Sequence, residues 1–146
     1  MTTIQNLANA FLSIEQMTNK KLQKLCYYAK AWHLALYDEN IIAEPFEAWI
    51  HGPVCCQLYD KYKLYGKNVI TEKPKHIDAS DNLMIFVQQI YDAYGHLSGD
   101  ELEITTHREE PWIEARGDSE PLQSCDAVIS EDTMKLYYRG KYSNVA

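Results

Sequence analysis

Gly52-Pro53 is the joint on which any fold of this chain must turn. Before it, Phe46, Ala48 and Ile50 alternate with Glu47, Trp49 and His51, a period of two that suits a short extended segment. After it, Val54, Leu58, Tyr62 and Tyr65 recur at i, i+4, i+8 and i+11, the spacing of a helix that buries one stripe. A helix leaves its first N–H unpaired, so a proline there loses nothing, and Pro53 is expected at the first helical position. Gly66 is expected to close that helix in a left-handed cap. The pattern predicts a strand-like segment and a helix meeting at a rigid corner, with Trp49 and His51 beside it.

The rest of the chain reads mainly as helix. Thr2 with Gln5 has the form of a capping box, and Ile4, Leu7, Ala8, Phe11 and Leu12 follow at helical spacing. Thr18 or Asn19 caps a second helix running to about Tyr37. Its buried stripe is expected to be Leu22, Leu25, Cys26, Ala29, His33 and Leu36, with Trp32 beside it. Its length makes it the expected central helix, and Lys20, Lys21, Lys24 and Lys30 are expected on its solvated side. His33 reads as a core histidine bonded to a backbone carbonyl. Residues 38–40 form a turn, and the runs 41–43 and 46–50 are candidates to pair as a small hairpin.

Beyond Gly66 comes a polar loop at 73–75. Ser80 caps a helix carrying Leu83, Phe86, Val87, Ile90, Tyr91 and Tyr94 up to Gly95. Ser98 with Glu101 repeats the capping box and starts a shorter helix through Leu102 to Thr105. Pro111 restarts helix at Trp112, residues 117–125 form an exposed loop, and Ser130 caps a last helix with Met134, Tyr137 and Tyr138 that Gly140 is expected to end. With no internal repeat or linker in 146 residues, this predicts a mainly α chain. We expect one compact helical domain of about six or seven helices, with a candidate small β hairpin.

Charge narrows the function classes. Fourteen Lys and Arg against 21 Asp and Glu give a net charge of −7, which disfavours binding to phosphate backbones and suits a basic protein partner. No helix carries the basic face that base reading needs. No basic N-terminal stretch leads into an apolar core, and no apolar run approaches the ~18 residues of a membrane span. Cys26, Cys55, Cys56 and Cys125 contain no CxxC pair and the histidines lack ligand spacing, so free thiols in a reducing cytoplasm are expected and no metal site. Glycine spacing for a nucleotide cradle is also missing, and no cofactor is expected.

Two places invite a catalytic reading. His107 has Glu109 and Glu110 two and three residues away, but closeness in a loop does not supply the geometry that acid–base work demands. The alternative is that His107 ties down the kink between two helices while Trp112 packs on the core. Cys55 and Cys56 stand near a helix start, where the macrodipole lowers a thiol pKa, yet no catalytic motif surrounds them and they read as packing.

Three stretches carry a family resemblance: KLQKLCYYAKAWHLALYDENII, EPFEAWIHGPVCCQLYDKY and SGDELEITTHREEPWIEAR, in that order. Together they resemble the signature of the Panacea domain, found in SocA-like antitoxins and phage-associated GepA-type proteins, over about Leu22 to Tyr138. The resemblance implies a cytoplasmic, phage- or prophage-encoded module that neutralises a cognate toxin by protein–protein contact, without catalysis. Trp49, His51, Gly52, Pro53, Tyr59, His107, Glu109, Pro111 and Trp112 are the motif residues it offers as a partner-binding patch. The expected partner is a cognate toxin or other basic protein, with neither membrane nor nucleic acid involved. The rivals are a small enzyme using His107 with Glu109 or a thiol at Cys55 or Cys56, a DNA-binding regulator, and a prophage cargo protein with a host target.

Overall fold

The computed structural model describes residues 1–74 and 76–145, with side chains as far as Ser143; Lys75 of the expected 73–75 loop lies outside the described residues. Seven α-helices and one hairpin are present among them: α1 Ile4–Ile14, α2 Asn19–Tyr37, β1 Glu47–Trp49, β2 Gly52–Val54, α3 Cys56–Tyr62, α4 Asp81–Tyr94, α5 Gly99–His107, α6 Glu110–Arg116 and α7 Glu131–Val145. A 3-10 turn, Lys63–Tyr65, follows α3. The expected mainly α domain with a small hairpin is therefore what the chain forms.

The helix α2 lies at the centre, in contact with α1, α3, α4, α5, α7 and β2. Its start follows from Thr18, whose hydroxyl accepts the Lys21 N–H; its end follows from Asp38 in the left-handed region at φ 55°. Encirclement overrides the single stripe read from the sequence. Leu22, Leu25, Cys26 and Ala29 are buried as expected, but so are Tyr27, Tyr28, Ala31, Leu34 and Ala35 on other faces, while Leu36 is 40 % exposed. Lys24 and Lys30, expected in solvent, are 1 % and 0 % exposed. His33 is half-buried, and its Nδ1 lies 2.6 Å from the Glu39 carbonyl.

Caps explain the other helix starts. Ser80 accepts from Leu83, Ser98 and Glu101 form a reciprocal capping box, and Ser130 accepts from Thr133. In α1 the cap is Thr3, which accepts the Asn6 N–H, rather than Thr2; Thr2 instead bridges Ile42, and the Gln5 amide turns to Asn9 and Tyr62. Gly140 does not stop α7, which continues to Val145. Isolated, a glycine weakens a helix by only about 1 kcal/mol, which packing against α2 offsets.

The corner at Gly52-Pro53 differs most from expectation. It is a hairpin, with Glu47 facing Val54, Ala48 facing Pro53 and Trp49 facing Gly52. Residues 41–43 take no part in it, since Ile42 bridges Thr2. Pro53 is a strand residue, Val54 ends β2, and Cys55 is the N-cap of α3. Position decides this: Ala48 sends its N–H to the Ala127 carbonyl and its own carbonyl accepts from Arg116. No ladder bond is asked of the residue opposite, so a proline costs nothing there. The 127–129 segment completes the other side of β1, with the Ile129 N–H donating to the Phe46 carbonyl at 2.8 Å. Gly66 ends the 3-10 turn at φ 58° and ψ −122°, a positive-φ stop but not the left-handed helical cap expected.

Candidate functional site

The Gly-Pro hairpin and the His-Pro-Trp segment meet in space. Trp112 Nε1 donates to the Trp49 carbonyl at 2.8 Å, and the His107 ring stacks on Trp112 with centroids 4.1 Å apart and planes at 24°. On α6, four residues along, Arg116 places its guanidinium 4.9 Å from the Trp112 ring centroid and donates to Ala48, Glu120 and Gln123 carbonyls. Pro111 is buried in the first turn of α6. The hairpin is thus pinned from behind by α6.

In front of the hairpin is a cavity of about 810 Å³ whose lining includes Trp49, His51, Val54, Tyr59, Lys24 and Asp126. Trp49 and Tyr59 make an edge-to-face pair, centroids 4.9 Å apart, and Tyr59 is 37 % exposed. Trp49 Nε1 donates to Glu47 Oε1 at 2.9 Å, which fixes the indole. His51 is exposed, with Nδ1 3.1 Å from Glu103 Oε2, while Glu103 Oε1 accepts from Lys20 at 2.7 Å. Burial works to raise the Glu103 pKa, but the Lys20 and His51 bonds outweigh it and hold the carboxyl below its usual range. Gly52 and Pro53 are buried behind this face.

Glu109 lies elsewhere. It is 3 % exposed and its carboxylate accepts from Tyr28 at 2.6 Å, Tyr138 at 2.9 Å and Lys141 at 3.1 Å. This carboxylate organises a cluster in which Tyr28 stacks on Tyr94 at 3.9 Å and Tyr27 bonds Tyr138. His107 has Nε2 buried without a partner among the described residues, and burial pushes its pKa below the usual value. The thiols shift in the direction opposite to activation. Burial and a hydrogen bond to Glu47 push Cys56 up to about 11, and burial raises Cys55. Among the described residues no group of three or more His, Cys, Asp and Glu is placed to hold a metal ion.

The family model for the SocA-like antitoxin, Panacea domain, matches residues 22–113. The chain belongs to that family. Neither a curated protein nor a solved structure matches it. In this Panacea domain the matched span runs from α2 to α6, so it contains the hairpin, the aromatic pair and the His107–Trp112 stack, while α7 lies beyond it.

Sequence reasoning passed over Gln23 and Arg116 and put Lys24, which is buried, on the solvated side of α2. Gln23 is buried and clamps the Cys55 backbone from both sides, its Oε1 accepting at 2.9 Å and its Nε2 donating at 3.2 Å. A signal existed for the lysines: Tyr27, Ala31, Leu34 and Ala35 form a second apolar stripe on α2, so the helix is apolar on more than one side.

Proposed function

We propose that this Panacea domain is an antitoxin-like module that binds a cognate toxin and neutralises it by contact, with no bond made or broken. The observation that carries the reading is the Trp49–Tyr59 pair, half-exposed beside a large cavity on a hairpin that Trp112 and Arg116 hold rigid. Tryptophan and tyrosine dominate binding hot spots because each buries much area for few rotatable bonds. The net charge of −7 favours a basic partner.

Turnover has less support. Glu109 is committed to Tyr28, Tyr138 and Lys141, and both helix-start thiols are pushed away from thiolate. Duplex DNA binding is disfavoured by the negative charge. No helix among the described residues is long and apolar enough to cross a membrane. The proposal includes a cytoplasmic setting, which four free thiols suit, and carriage by a phage or prophage, which rests on the family resemblance alone.

Co-expression tests it. A small basic protein encoded beside this one should stop growth when made alone and be harmless with this chain present. Trp49→Ala and Tyr59→Ala should each weaken the complex at least tenfold in calorimetry while leaving the circular-dichroism spectrum intact. An innocuous neighbour, or full rescue by both variants, removes the reading.

A further inference from the structure

Two buried lysines on α2 are treated very differently. Lys30 donates to the Ala43 and Glu44 carbonyls and pairs with Glu131 Oε2 at 2.9 Å, so its three N–H groups are answered. Among the described residues Lys24 has one acceptor, the Pro53 carbonyl at 3.2 Å, and no carboxylate partner. The nearby carboxylate of Glu103 already accepts from Lys20 and faces His51. A buried amine left this way is expensive to ionise, and burial pushes Lys24 down to about 7.

Lys24 lines the 810 Å³ cavity, whose size falls in the usual range for small-molecule sites. Trp49, Ile50, Val54 and Tyr59 give that cavity apolar and aromatic walls. Its charged lining sets Lys20 and Lys24 against Glu47 and Asp126, which leaves no surplus for a polyanion. Glu47 is itself engaged by Trp49 and Cys56. Lys24 is held in place by Gly52, where a Cβ would come within 2.5 Å of Lys24 Cε.

We propose that the cavity binds a small monocarboxylate with an aromatic or branched apolar body, its carboxylate accepting from Lys24 Nζ and its body lying on Trp49 and Tyr59. The site shares Trp49 and Tyr59 with the proposed partner face, but it rests on Lys24 and needs no toxin to be tested. A carboxylate beside Lys24 favours its protonated form, so affinity falls as pH rises. His51, His107, Lys20 and Glu103 also face this region, so the variant Lys24→Met isolates the contribution of Lys24 from theirs.

The test titrates the full chain with phenylacetate and 4-methylpentanoate, following the Trp49 indole N–H resonance. Phenylacetamide and inorganic phosphate serve as controls. Saturable binding of at least one carboxylate, about tenfold tighter at pH 6 than at pH 9 and tenfold weaker for phenylacetamide and phosphate, is the expected result. Lys24→Met should unfold at the same or a higher temperature, since it removes an unsatisfied amine, and should lose binding at least tenfold. Absence of saturable binding by both carboxylates overturns the proposal. So does equal binding by the amide, by phosphate or by Lys24→Met, and so does a clear fall in the unfolding temperature of that variant, which would make Lys24 a structural group.

Discussion

Gly52 and Lys24 occupy space that only one of them can enlarge. Gly52 sits at φ 105°, where other residues are strained, and a methyl group there would meet Lys24 Cε at 2.5 Å. Gly52→Ala is therefore expected to cost about 2–4 kcal/mol by chemical denaturation. Adding Lys24→Ala should return part of that loss, the share due to that contact, and the remainder combines backbone strain with the 3.0 Å approach to Thr106 Oγ1. His107 supplies a pH effect. Burial, with the Lys24 and Arg116 charges adding to it, holds its pKa below 6.5 against the pull of Glu103 and the Ile50 backbone. The unfolded chain then takes up the proton first as pH falls, so stability is lost from about pH 6.5 downward and levels off below the folded-state value. Thermal unfolding between pH 7.5 and 5 should show that loss in the wild type and a smaller one in His107→Phe, which keeps the stack on Trp112.

Arg116 decides the behaviour of the hairpin. It donates to Ala48 in β1 and to the Glu120 and Gln123 carbonyls, so one side chain closes the 117–123 loop and anchors a strand 68 residues away in sequence. Lysine cannot reproduce that fork. Arg116→Lys should lower stability by about 2 kcal/mol and speed amide exchange at Ala48 and Ile129, the N–H groups paired across β1, while the α2 amides keep their protection.

This long reach also explains what the sequence hides. The starts of α2, α4, α5 and α7 are legible because each is set within three residues by Thr18, Ser80, Ser98 or Ser130. The Gly-Pro corner is not, because Pro53 suits a helix start and an unpaired strand position equally well. What separates the two is the bonding of Ala48 to Ala127 and Arg116, far along the chain. The meeting of the hairpin with His107 and Trp112 was open to anticipation from their shared aromatic character. The exit of Glu109 into the tyrosine cluster was not, since Tyr28 and Tyr138 lie 81 and 29 residues from it.

At the scale of the molecule, charge governs encounter and the aromatic face governs residence. Association with a basic partner should slow at least tenfold between 50 and 500 mM salt in stopped-flow measurements. Trp49→Ala and Tyr59→Ala should act on dissociation instead and leave that salt slope unchanged.

The last helix covers the central one: Met134 and Tyr138 are fully buried, and Glu131 reaches Lys30. A nascent polypeptide therefore cannot cover the α2 tyrosines and Lys30 in this way until the residues through Tyr138 have been added and have left the ribosome. A translation product halted before that codon, although it holds the whole matched span, would emerge with its centre open to water and to degradation.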